Sequence, residues 1–176
     1  MRIIGGKHRG RILAEFKGEE IRPTADRVKE SLFNVLSREI AGARVLDLFC
    51  GSGALGLECL SRGAEEAVFN DCSKDSVAVL KANIKKLGAE ENCTVYTLDY
   101  LACLSRLSGK FDIIFLDPPY RDDAKPLITA IAERGILNDG GRIIYEHSDG
   151  SCGDIEGVKL VDTRNYGIAV FDFYEV

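Results

Sequence analysis

Val45-Leu46-Asp47-Leu48-Phe49-Cys50-Gly51-Ser52-Gly53-Ala54-Leu55-Gly56 reads as a short apolar strand that ends near a carboxylate and breaks into a glycine turn before a helix. The Gly51-x-Gly53-x-x-Gly56 spacing lets a ligand approach the backbone closely at a helix N-terminus. Such a loop suits a dinucleotide pyrophosphate and S-adenosylmethionine alike. Asp47 separates the two, because a carboxylate at the strand end repels a pyrophosphate and attracts an ammonium or sulfonium. The loop therefore offers Asp47, Phe49, Gly51, Ser52 and Gly53 as contacts for a cationic nucleoside cofactor.

Outward from this loop, β-rich runs alternate with helical ones. Strands are expected at Val45–Phe49, Ala67–Asn70, Thr94–Leu98, Ile113–Leu116 and Arg142–Glu146. Helices are expected between them at Ala54–Arg62, Lys74–Leu87, Tyr100–Leu107 and Ala124–Arg134. That alternation predicts an α/β fold with a parallel sheet and right-handed crossovers. After Glu146 the helical pattern stops, and Val158–Thr163 and Ile168–Tyr174 predict an antiparallel hairpin that completes a seven-stranded, mostly parallel sheet. Upstream, Arg2–Gly6 and Arg9–Leu13 predict a small β-hairpin. Ala25–Ile40 carries Val28, Leu32, Val35 and Leu36 at helical spacing, with Thr24 placed to cap it. Residues 1–40 are thus expected to form an N-terminal extension and residues 41–176 the catalytic domain.

Two further acids sit at expected strand ends. Asp71 lies twenty residues after Gly51, where a carboxylate can accept from ribose hydroxyls. Asp99 can accept from an adenine amino group or cap the helix that follows, and the sequence leaves both open.

Phe111 to Leu116 forms an apolar run that leads straight into Asp117-Pro118-Pro119-Tyr120, at the sheet edge where open α/β folds hold ligands. The prolines stiffen the turn and leave the Pro118 carbonyl free to accept. An exocyclic amine on a base is a weak nucleophile because its lone pair is delocalised into the ring. Acceptors such as Asp117 and the Pro118 carbonyl can hold its hydrogens, and Tyr120 can stack on an extruded base. As an isolated tetrapeptide this could be only a strand-terminating turn; its place after the glycine loop favours catalysis.

Composition bounds the rest. A chain of 176 residues with 45% hydrophobic content can build one core but not two ordinary domains. No apolar stretch approaches the length of a membrane span, and Met1–Lys7 lacks the apolar segment of a secretory signal, so the expected setting is cytoplasmic. The six cysteines include no C-x₂₋₄-C pair, which predicts reduced thiols and no metal. Net charge is −5, but residues 1–39 carry +3 and the remainder −8. Arg2, Lys7, Arg9, Arg11 and, nearby, Arg22 and Arg27 are candidate phosphate contacts.

Together these motifs resemble the RsmD family of bacterial small-subunit rRNA guanine-N2 methyltransferases. The likeness runs nearly end to end: Arg2-Ile3-Ile4-Gly5-Gly6, Arg22-Pro23-Thr24 with Asp26-Arg27, Leu32-Phe33-Asn34, the loop from Leu46 to Glu58, and Asp117-Pro118-Pro119-Tyr120. The resemblance implies a Rossmann-like class I methyltransferase fold and S-adenosylmethionine as donor. It implies one guanine of 16S rRNA as acceptor, presented in the small ribosomal subunit or its assembly intermediate to a monomeric enzyme. It also suggests that the region around Thr24 borders the cofactor and base pocket. The chain departs from the family pattern at Asn70-Asp71, where Glu is usual, and at Cys50, where Ala is common. Rival readings are methylation of adenine N6 or of a protein glutamine amide, a dehydrogenase, and a non-catalytic nucleotide-binding module.

Overall fold

The computed structural model describes residues 1–15, 23–118, 124–148, 152–167 and 169–176, with the side chains of residues 23–25 also outside the described set. Of the expected site residues, Arg22, Pro119, Tyr120 and the Thr24 side chain lie outside it.

Along the chain run α1 (Pro23–Val35), β1 (Arg44–Asp47), α2 (Ala54–Ser61), β2 (Glu66–Asn70), α3 (Lys74–Leu87), β3 (Cys93–Tyr96), α4 (Tyr100–Arg106), β4 (Phe111–Leu116), α5 (Lys125–Glu133), β5 (Leu137–His147), β6 (Lys159–Tyr166) and β7 (Ala169–Glu175). The sheet order is β3-β2-β1-β4-β5-β7-β6. The first five strands pair in parallel, whereas β7 pairs antiparallel with both β5 and β6. The expected seven-stranded α/β sheet is what forms. The chain reverses direction across the sheet between β1 and β4, and the crevice at such a switch point is where ligands bind.

Alternation along the strands sorts the core into two layers. One face buries Val45, Phe69, Ile113, Phe115 and Ile144 under Leu57, Leu80 and Ile84 of α2 and α3, together with Leu32, Phe33 and Leu36 of the N-terminal region. The other buries Leu46, Leu48, Ile114 and Ile143 under Cys103, Leu104, Leu127 and Ile131 of α4 and α5. Both faces are covered, so the central positions of β1, β2 and β4 are apolar and buried. β6 alone alternates exposed and half-buried positions, as suits an edge strand, while β7 beside it is buried from Phe171 to Tyr174.

Three expected elements differ. The N-terminal hairpin forms but is shorter than expected: the Ile3, Gly10 and Leu13 amides donate to the Arg11, Ile3 and Met1 carbonyls (2.9, 2.8 and 2.9 Å) about one antiparallel bridge, Arg2 with Ile12, and a 3-10 turn at Gly6–His8 connects the two arms. Its backbone is claimed by α2: the Ile4 and Gly5 amides donate to Glu58 (2.8 and 2.7 Å), and the Ser61 hydroxyl donates to the Gly5 carbonyl (2.6 Å). Gly6 takes φ 74°, and a Cβ there would lie 1.7 Å from the Ser61 carbonyl oxygen, so only glycine permits this approach. The first helix begins at Pro23, which makes Thr24 a residue of its first turn rather than its cap, and ends at Val35, after which i→i−3 bonds such as Glu39 N–H to the Leu36 carbonyl tighten the chain. Finally, β5 starts at Leu137, before the expected Arg142. Asn138–Gly141 form a bulge opposite Asp112, closed by an Asn138–Asp112 hydrogen bond of 2.7 Å.

Candidate active site

The loop after β1 is tied down from several sides. Asp47 is 4% exposed, and one of its oxygens accepts from the Gly56 amide at 3.0 Å; the other has no hydrogen-bond partner among the described residues. Burial raises its pKa to about 7; the Gly56 bond opposes the shift, and the charges of Asp117 and Asp71 add to it. Asp71 accepts from the Gly51 amide (2.9 Å) and the Ser73 amide (2.8 Å), so it staples the loop to the end of β2. Each carboxylate oxygen keeps a second lone pair, and a ribose contact remains available to it.

The glycines divide into two kinds. Gly53 (φ 83°) and Gly56 are packing positions, where a Cβ would meet Leu80 and Phe69, each at 2.3 Å. Gly51 (φ 51°) is different: a Cβ there meets nothing within 4 Å, so its backbone faces open space. Beyond it, Phe49 and Tyr100 pair with ring centroids 6.1 Å apart. Asp99 caps α4 through the Ala102 amide at 2.9 Å, which bears out the capping alternative and leaves its other oxygen exposed. Open backbone, three acids and an aromatic pair along one edge fit a cationic nucleoside such as S-adenosylmethionine.

Asp117 follows β4 and lies within electrostatic reach of Asp47. It reaches solvent at the mouth of the crevice, yet protein packed on its other sides strips enough hydration to raise its pKa well above the usual carboxylate range. Among the described residues it has no hydrogen-bond donor and no cation, and the half-buried Pro118 follows it. Two surface hollows of about 560 and 480 Å³ lie elsewhere, one beside α5 and one around Arg44 and Asn92. Neither gathers these acids, so topology and chemistry locate the site.

The candidate RNA residues separate. Lys7, Arg9, Arg11 and Arg27 are exposed and carry no ion pair among the described residues. Arg2, by contrast, pairs with Asp26 at 2.8 Å.

Sequence reasoning missed three organising residues. Asn70, 1% exposed, donates to the Leu48 and Leu98 carbonyls (3.2 and 3.1 Å) and accepts from the Leu98 amide, joining the ends of β1, β2 and β3. Asn83, fully buried, bonds both the amide and carbonyl of Ala14 and the Ser52 carbonyl, so it links the N-terminal extension to the glycine loop. Glu58, also fully buried, holds Lys29 (3.1 Å) and Arg62 (2.8 Å). For Glu58 and Asn83 the available signal was a polar residue on the apolar stripe of a helix, and for Asn70 a polar residue closing an apolar strand.

This sheet, with its acid-lined crevice and Asp117-Pro118 beside it, defines a class I S-adenosylmethionine-dependent methyltransferase. The model of a family described as "Conserved hypothetical protein 95" matches residues 1–175. The chain is 36% identical over 180 residues to ribosomal RNA small subunit methyltransferase D of Haemophilus influenzae, covering 99% of this chain and 93% of that one. It is 39% identical over 147 residues to the Escherichia coli protein of the same name, covering 83% and 74%. The solved structure of "Putative methyltransferase yhhF" from Escherichia coli superposes with a TM-score of 0.88 at 32% identity, covering 99% of this chain and 97% of that one. The chain belongs to the RsmD family.

Proposed function

We propose that this protein transfers a methyl group from S-adenosylmethionine to the exocyclic N2 amine of a guanine in small-subunit ribosomal RNA, within the subunit or its assembly intermediate. The observation that carries the reading is Asp117, a carboxylate at the mouth of the crevice with a raised pKa and without donor or cation among the described residues, one strand across from the glycine loop. The names of the family's relatives support the RNA substrate.

Asp47, Asp71, Asp99, the Gly51 backbone and the Phe49–Tyr100 pair would hold the cofactor, whose chemistry is an electrophilic methyl group on a sulfonium. Asp117 and the Pro118 carbonyl accept the two amine hydrogens, which favours a pyramidal nitrogen with its lone pair exposed. The raised pKa of Asp117 makes it a better resting place for the proton the amine gives up as its new bond to carbon forms. Pro119 and Tyr120 follow in the sequence, and Tyr120 would serve as the stacking platform. Residues 1–40 act as the RNA-contacting extension through Lys7, Arg9, Arg11, Arg22 and Arg27, and residues 41–176 as the catalytic domain.

Mass spectrometry of 16S rRNA from cells with and without the gene tests this. One N2-methylguanine is expected to disappear without it, and an unchanged modification profile would overturn the reading.

A further inference from the structure

β5 runs past the end of β4. Leu116 is level with Tyr145, so the continuing register brings Glu146 level with Asp117. Phe115 and Ile144 are paired and bury into the same core layer, and side chains alternate along a strand. Asp117 and Glu146, each two residues further on, therefore share the face from which Asp47 projects. Glu146 is half-buried, with neither hydrogen bond nor ion pair among the described residues. Loss of hydration, and then the charge of Asp117, raise its pKa. The fully buried Glu58 collects its donors from the protein; Asp117 and Glu146, nearer the surface and without a donor among the described residues, are open to donors that arrive with a ligand.

We infer that Glu146 is a specificity residue that accepts the N1–H of the target guanine while Asp117 and the Pro118 carbonyl hold its N2 amine. This rests on the guanine-N2 reading above. On guanine, the N1–H donor is adjacent to the exocyclic amine, so an acceptor on the strand next to Asp117 meets it. Adenine presents a lone pair at N1 beside its own amine. Facing Glu146, that lone pair opposes the ionised carboxylate, and Glu146 could bond it only by holding a proton, so guanine is favoured wherever Glu146 is ionised. Glu146 thus separates two bases that Asp117 and Pro118 alone would treat alike, because both carry an amine.

2-Aminopurine keeps the N2 amine and lacks both the N1–H and O6, so the change in the guanine-to-2-aminopurine ratio between the parent and a Glu146 variant, rather than either ratio alone, reads the N1–H contact. Small subunits reconstituted with 16S rRNA carrying guanine or 2-aminopurine at the modified position would be methylated by the parent and by Glu146→Gln. The parent is expected to prefer guanine by about 10- to 100-fold, the discrimination typical of one good base-edge contact. Glu146→Gln, whose amide can accept from guanine or donate to 2-aminopurine, should narrow the ratio to within a few-fold while binding S-adenosylmethionine as the parent does. An unchanged ratio overturns the inference alone. So does loss of transfer to both bases in a folded, cofactor-binding variant, because that assigns Glu146 to transfer rather than to base reading. Should Glu146→Gln fail to fold, Glu146→Asp replaces it: a withdrawn carboxylate should slow guanine selectively, and an unchanged ratio again overturns the idea. A parent that leaves the guanine RNA untouched overturns the guanine-N2 reading itself.

Discussion

Glu58 and the Asp117–Glu146 pair are acids with opposite surroundings. Glu58 lies under the N-terminal extension with two cations and two backbone amides around it. Asp117 and Glu146 stand at the C-terminal edge of the sheet, the first reaching solvent and the second half-buried, both with raised pKa values and without donors among the described residues. A desolvated carboxylate is costly unless bonded, so satisfaction marks the first region as scaffold and its lack marks the second as a site awaiting ligand. Even the scaffold carries strain: burial pulls the Lys29 ammonium below its usual pKa, against the raising influence of Glu58. The seam holds because several partners share one acid.

The contrast can be broken by experiment. Glu58→Ala leaves Lys29 buried without its acid and frees two amides, so unfolding in urea should show a loss of about 3–5 kcal/mol. A loss below about 1 kcal/mol would mean that the seam is not the scaffold argued here. Asp117→Ala should leave stability and S-adenosylmethionine affinity within a few-fold of the parent while slowing methyl transfer by about 10²- to 10³-fold, as for removal of one preorganised catalytic group. Transfer at the parent rate would remove Asp117 from the chemistry.

The smallest effect concerns Asp47. Its pKa of about 7 in the folded protein lies above the ordinary value of 3.8, so the folded state binds the extra proton. Its contribution to stability therefore declines as pH rises from about 4 to about 7 and then levels off. A cationic cofactor favours the ionised form, so binding should release a fraction of a proton near neutrality and tighten as pH rises through about 7. Calorimetry in buffers of different ionisation enthalpy reads this directly. Buffer-independent heats, or heats whose buffer dependence survives in Asp47→Asn, would contradict it.

The alternation of apolar strands and helices, the Gly51–Gly56 loop and Asp117-Pro118 were all legible in the sequence, because each rests on local periodicity, backbone freedom or short-range spacing. Such patterns specify the α/β class and the edge where chemistry gathers. Only the tertiary structure decided that Gly51 faces open space whereas Gly53 and Gly56 pack against Leu80 and Phe69. It also brought Asn83 of α3 to both Ala14 and Ser52, paired Arg2 with Asp26, and set Glu146 level with Asp117. These contacts join residues from 13 (Gly56 and Phe69) to 69 (Ala14 and Asn83) positions apart, and their partners are set by strand order and register, which no local pattern encodes.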